Sequence, residues 1–425
     1  MKKGVKVRLL IHEILKLIKN KSYDFDRALL MKLSGTNIII SDKKLIYNVV
    51  LNSLRYYFHI DQIINKLTKK IKKNSDEYFL LLSAITQIVF LDFKDFAVVD
   101  CTVELSKLNK NKSKKNFINA VLRNVVNKKK ILKKNRTSYN NLPKWFLDKT
   151  QNLSSIEKNK FVNSILEEPD LHIVFKKSKK IPISINGIKT TENSIVVKNY
   201  TNITKIPEYE NGNWWVQDLS AMLPIYLAKI SSGIDAIDLC AAPGGKTFQL
   251  LDKGANMTVY EKKSYRADIM KENLKRLKIK CNIKTKNSLE LKSNQKFDLV
   301  VLDAPCSSVG TIRRNPEIFY RINPPNFKNI LNLQNELLKI SKKILRVKGM
   351  LIYIVCSFLK EEGEKQINKF LIENKNFSII KYSDKQHAFL NKLITNKGFF
   401  YTIPKRLENG VLIDGFFAAK LIKNA

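Results

Sequence analysis

Apolar positions along the chain keep a helical spacing first and a strand spacing later. Up to about residue 130, Ile11, Ile14, Leu15 and Ile18 fall at i, i+3, i+4 and i+7. Phe117, Val121, Leu122 and Val125 make a second such face, behind a candidate cap at Ser113. Glycine is nearly absent there and no alternating pattern competes, so 1–130 is predicted to be an all-α bundle. The most apolar stretch, 78–92, is too short for a bilayer and is interrupted by Ser83, Thr86 and Gln87; it reads as a core helix. The Lys- and Asn-rich stretch 128–141 reads as a linker. Short apolar runs at 171–175, 181–185 and 194–197 look like strands between turns, and Asp218 and Ser220 start a helix that presents Met222, Leu223 and Leu227.

From about Ser232 strands and helices alternate. Apolar strands fall at 234–239, 257–260, 297–302 and 350–355, helices at 267–277 and 332–345, and a last strand at 415–422. This order predicts a parallel doubly wound sheet that binds its ligand at the carboxyl ends of the strands. The chain is therefore expected in three parts: 1–130, 131–228 and 229–425.

The stretch 234–247, IDAIDLCAAPGGKT, joins a buried strand to a helix through Gly244 and Gly245. It is not a phosphate-binding P-loop, which needs a glycine where Cys240 stands, nor a dinucleotide fingerprint, which needs three spaced glycines. Two further motifs follow the same logic of chemistry at a strand end: FDLVVLDAPCSSVG at 297–310 and GMLIYIVCS at 349–357. Glu261 ends the second strand, where an acidic side chain suits ribose hydroxyls or a solvated strand end.

The net charge of +39 is built on Lys, with only 12 Arg among 77 basic residues. Such an excess fits a polyanionic partner, and it equally fits a coding bias toward Lys, Asn and Ile. Five cysteines, Cys101, Cys240, Cys281, Cys306 and Cys356, include no CxxC pair, so no metal site and no disulfide framework is expected. Their odd number without a signal peptide points to a reducing cytoplasm, and no membrane association is expected.

Together the three motifs, in this order and spacing, resemble the RNA 5-methylcytosine methyltransferases, specifically their RsmB branch. The amino-terminal text, including LRYYFHID at 54–61 and NFINAVLRNV at 116–125, is similar to the NusB-like RNA-binding domain of that branch. The resemblance implies a NusB-like all-α bundle at 1–130, a linker with a small α/β RNA-binding subdomain at 131–228, and a Rossmann-like α/β methyltransferase domain at 229–425. It implies S-adenosylmethionine as cofactor, held by Cys240, Ala241, Ala242, Pro243, Gly244, Gly245 and Lys246, with Glu261 on the ribose, Asn287 at the adenine and Asp303 beside both cofactor and target base. Lys246 would serve either the cofactor carboxylate or the catalytic thiolate.

The family chemistry is addition of a cysteine to cytosine C6, methylation at C5, and release after loss of the C5 proton. Cys356 holds the place of the nucleophile, Cys306 that of the release group, and Asp303 that of a group sharing a proton with ring N3. Arg313 and Arg314, on a loop after the second motif, are expected to grip RNA phosphates. Three departures from the family text are visible: Ile173-Val174-Phe175 where relatives carry Arg and Asn, Asn287 for Asp, and Val355 for Thr. The implied substrate is 16S ribosomal RNA, free or in an early assembly particle, acted on by a monomer. A tRNA-directed enzyme and a catalytically weakened RNA-binding or assembly protein are the alternatives.

Overall fold

The four apolar positions of the first predicted stripe, Ile11, Ile14, Leu15 and Ile18, are all fully buried in the helix Lys3–Lys21. In this computed structural model, which describes residues 3–68, 71–108, 114–134, 137–200, 202–291, 294–384 and 387–424, the chain forms two compact units. One comprises Met1–Glu167 with Ile312–Pro325, the other Glu168–Thr311 with Asn326–Ala425.

The first unit is helical: Phe25–Leu33, Ile40–Arg55, Tyr57–Leu67, Asp76–Ile85, Asp95–Leu108 and Lys115–Lys134 follow the first helix. The segment read as a core helix is one, continued by a π-helical turn at Thr86–Phe90. No helix among the described residues is long and apolar enough to cross a membrane. The expected linker begins as helix, because Leu132 is buried and its carbonyl lies 2.9 Å from the His59 ring, while the neighbouring lysines face solvent. Phe117 is exposed and Ile118 takes its place in the core; Ser113 lies outside the described residues.

Arg313 corrects another expectation. It is wholly buried, with Arg55 Nη2 donating to its carbonyl at 3.4 Å, so it is not poised on an open loop for phosphate. Six residues on, Phe319 makes edge-to-face contacts with Phe146 at 4.8 Å and Trp145 at 5.8 Å between ring centroids. Phe319 also meets Phe58 at 6.2 Å and Tyr320 meets Tyr57 at 4.8 Å, so this aromatic cluster ties Trp145, Phe146 and 312–325 to the helix Tyr57–Leu67 within the unit that ends at Glu167.

The second unit holds two main sheets. Strands β1 (Leu171–Phe175), β2 (Gly187–Thr191), β3 (Ser194–Val197) and β4 (Trp214–Val216) form an antiparallel sheet in the order β2-β3-β1-β4. The expected strand at 181–185 is a loop: Pro182 has no ladder donor to offer, and Ile183 faces solvent. Asp218 does cap the helix Leu219–Tyr226, accepting from Ser220 N at 2.8 Å.

The larger sheet is built from β5 (Asp235–Asp238), β6 (Asn256–Tyr260), β7 (Asn282–Lys284), β8 (Phe297–Asp303), β9 (Leu345–Val355), β10 (Phe377–Ile379) and β11 (Phe400–Thr402). After the short pair β12 (Lys405–Arg406) and β13 (Leu412–Ile413) it is completed by β14 (Phe416–Lys423). The order is β10-β14-β9-β8-β5-β6-β7, with β11 also paired to β14. The five strands from β7 to β9 are parallel, as predicted, but β14 runs antiparallel to β9, so the sheet is mixed. The cause is where β14 starts. Gly415 N donates to Gly310 O at 2.8 Å, which pins the beginning of the strand at the carboxyl ends of β8 and β9 and sends it back down the sheet.

Asp238, the last residue of β5, is fully buried and accepts from Thr247 Oγ1 at 2.8 Å and Cys240 N at 3.3 Å. Burial, aided by the nearby Asp303 and opposed by these bonds and by Lys246, pushes its carboxyl up to about 7. A carboxyl raised in the folded state stabilises the fold while it is protonated, and that stability is lost as pH rises from its ordinary value through the folded one. Relative to wild type, Asp238→Asn should therefore gain stability between about pH 4 and 7, read by urea denaturation; a pH-independent difference would contradict this. Phe319→Ala should destabilise the helical unit by about 3 kcal/mol, followed by the fluorescence of Trp145, with a loss below about 1 kcal/mol refuting the aromatic cluster as its anchor.

Candidate active site

All three motifs lie at carboxyl ends of neighbouring strands of the larger sheet, where the backbone turns out of the ladder. After β5 the loop from Cys240 reaches Gly244, whose φ of +112° few other residues tolerate; a Cβ there would lie 2.4 Å from the Phe248 ring. The helix Gly245–Asp252 starts directly afterwards and carries Lys246. Glu261, just past β6, is buried and reaches the same loop: it accepts from Ala242 N at 3.3 Å and from its neighbour Lys263 N at 2.9 Å, with Arg266 Nη1 at 3.8 Å.

Asn287 stands close by, since Ser288 Oγ donates to Leu239 O, but its side-chain oxygen caps its own turn by accepting from Leu289 N at 3.2 Å. Cys240 is held by burial well above the ordinary thiol range, as is Cys281 to a lesser degree, at about 11. Neither is an activated nucleophile.

Lys246 Nζ pairs with Asp303 Oδ2 at 2.7 Å across the ends of β5 and β8. Burial alone would lower the lysine, but Asp303 overrides it and holds the ammonium charged. Among the described residues the other oxygen of Asp303 has no partner, and the side chain is 30% exposed.

The two motif cysteines meet. Cys306 Sγ and Cys356 Sγ are 3.1 Å apart, and Ser308 Oγ lies 3.4 Å from Cys356 Sγ. Hydrogen bonding from Cys306 is the largest influence on Cys356 and lowers it below the ordinary thiol range; burial and Asp303 oppose, while Ser308 and Lys246 assist. The same bond, with burial, raises Cys306. One thiol thus keeps the proton and the other is poised to lose it.

Three residues that the sequence did not single out belong to this arrangement. Ser308 adopts φ +60°, a conformation rare for serine that aims it at Cys356. Asp238 underlies the motif loop through Thr247 and Cys240. Glu362 is fully buried and accepts from Ser307 N at 2.7 Å, Ser307 Oγ at 2.6 Å and Ser357 Oγ at 2.6 Å. Ser308, in the CSSVG text beside Cys306, was the one with a local signal.

The side chains at these strand ends fit the donor that the motifs imply. A side-chain-free turn at Gly244 allows close backbone approach, Glu261 and Asp303 supply carboxyl groups suited to a sulfonium and to ribose hydroxyls, and Lys246 suits a carboxylate. Asn287 fits least well, its oxygen being already engaged. No group of side chains able to hold a metal ion occurs among the described residues.

Residues 226–422 match the family described as 16S rRNA methyltransferase RsmB/F, and residues 6–127 match the NusB family. Among curated proteins, ribosomal RNA small subunit methyltransferase B of Photorhabdus laumondii is 29% identical, covering 91% of this chain and 92% of its own length. The protein of the same name from Cronobacter sakazakii is 27% identical over 100% of both chains. The crystal structure of PH0851 shares the fold, with a TM-score of 0.74 at 19% identity over 100% of this chain and 99% of that one. The carboxy-terminal part of this chain accordingly belongs to the RsmB/F methyltransferase family, and its amino-terminal part to the NusB family.

Proposed function

We propose that this protein methylates C5 of a cytidine in 16S ribosomal RNA through a covalent cysteine adduct, with S-adenosylmethionine as donor. The observation that carries this is the pair of thiols 3.1 Å apart at the ends of adjacent parallel strands, one lowered and one raised. Cytosine C5 is a poor nucleophile until a thiolate adds to C6. Cys356 is the thiol prepared for that addition, with the Ser308 hydroxyl and the Lys246 ammonium stabilising its charge.

As the sulfur adds, electron density moves toward ring N3; the open oxygen of Asp303 is placed to share a proton with N3, the carboxyl giving it up on addition and taking it back when the adduct breaks down. The donor supplies the methyl group to C5. Cys306 holds its proton while Cys356 is charged; once Cys356 is bound to carbon, Cys306 loses that proton to solvent and as thiolate is placed to remove the C5 proton, so that the C6–sulfur bond breaks, Cys356 leaves as thiolate and the ring regains its double bond. Lys246, Glu261, Asp303 and the loop 240–245 are assigned to the donor. The rRNA assignment is supported by the names of the relatives and by the family description, and the charge of +39 agrees with a polyanionic partner.

Cys356→Ala should abolish methylation of ribosomal RNA, and an active variant would reject Cys356 as nucleophile. Cys306→Ala should trap the enzyme on its RNA, visible as a slow band in a denaturing gel; loss of activity with no such band would reject the release role. RNA affinity should fall steeply with salt, as when several phosphates shed counterions, and a flat dependence would show that the lysines do not serve RNA.

A further inference from the structure

Glu362 lies in a run of charged residues, Lys360-Glu361-Glu362-Gly363-Glu364, that reads as a solvated turn, yet its side chain is fully buried. No Lys, Arg or His pairs with it among the described residues. A buried carboxylate with no cation is costly unless its oxygens are saturated by donors. Here Oε1 accepts from Ser307 N, and Oε2 accepts from both Ser307 Oγ and Ser357 Oγ.

Ser307 directly follows Cys306 and Ser357 directly follows Cys356. One carboxylate therefore holds the two cysteine loops, which leave different strands. Its own loop is pinned in turn: Tyr353 Oη donates to Glu362 O at 2.6 Å, Leu359 N donates to Ser357 Oγ at 3.3 Å, and Gly363 sits so close to the Phe417 ring that a Cβ would meet it at 2.6 Å.

We infer that Glu362 is a positioning residue that sets the distance between the Cys306 and Cys356 thiols, and through it the reactivity of Cys356. This rests on the two-cysteine chemistry proposed above. A shared proton between sulfurs needs close approach, and a displacement of about 1 Å in a reacting group costs about a hundredfold in rate. An amide keeps the bond from Ser307 N, but its other end donates, so both serine hydroxyls must turn to accept and the two charge-assisted bonds that hold the loops are lost.

The test uses the full chain with Glu362→Gln, which keeps the side chain's size. Alkylation of Cys356 by iodoacetamide, followed by peptide mass spectrometry without RNA, should slow about tenfold at neutral pH. Cys306→Ala should slow it comparably, and the double variant should be no slower than Cys306→Ala, because both act through the same sulfur–sulfur contact. In RNA methylation kcat should fall about tenfold or more, with KM for the donor changed less than about twofold. Alkylation and kcat within twofold of wild type, or a full further slowing in the double variant, would overturn the inference. If Glu362→Gln loses its folding transition, Ser357→Ala, which removes one of the three bonds, must slow alkylation in the same direction, and wild-type behaviour there overturns it equally. A methylating Cys356→Ala enzyme would instead reject the proposed chemistry while leaving the alkylation result standing, so the two failures are distinct.

Discussion

Two thiols 3.1 Å apart cannot both be charged. Whatever one gains in acidity, the other loses, and the site depends on that single shared proton being biased toward Cys306. The sheet supplies the proximity: β8 and β9 are parallel neighbours with Asp303 opposite Ile354, and strands so paired lie about 4.8 Å apart. The chain beyond each strand end then needs only a short turn to bring Cys306 and Cys356 together. The bias comes from what faces Cys356, namely the Ser308 hydroxyl and the Lys246 charge.

Lys246 joins this pair to the motif loop. It is buried at the start of a helix, and its ammonium survives there because Asp303 sits 2.7 Å away. The same ion pair leaves one oxygen of Asp303 open. Asp238 lies buried against the motif loop with a raised carboxyl, bonded to Thr247 and Cys240, while Glu261 is spent partly on holding the backbone of the loop. The motif loop, the Lys246–Asp303 pair and the two thiols thus share three strand ends within one folded unit, and a change at any one of these charges is felt by the others.

Much of this was legible in the sequence, because apolar strands such as 297–302 and 350–355 are long enough to declare themselves and each motif follows one directly. The helical stripe at Ile11, Ile14, Leu15 and Ile18 was legible for the same reason. Arg313 was not: an arginine in polar text reads as exposed, and only tertiary packing buries it. The antiparallel entry of β14 escaped notice because strand direction depends on a contact between Gly310 and Gly415, far apart in sequence. Glu362 was hidden by its own neighbours, since a lone buried carboxylate inside a charged run has no periodicity to mark it, and its serine partners lie in two separate motifs.

The account is tested most directly by incubating the protein with its donor and a ribosomal RNA containing 5-fluorocytidine, whose C5 carries no removable proton, so that the adduct cannot break down. Peptide mapping of the covalent product should find the RNA attached at Cys356. Attachment at Cys306, or no covalent product with an RNA that is otherwise methylated, would contradict it.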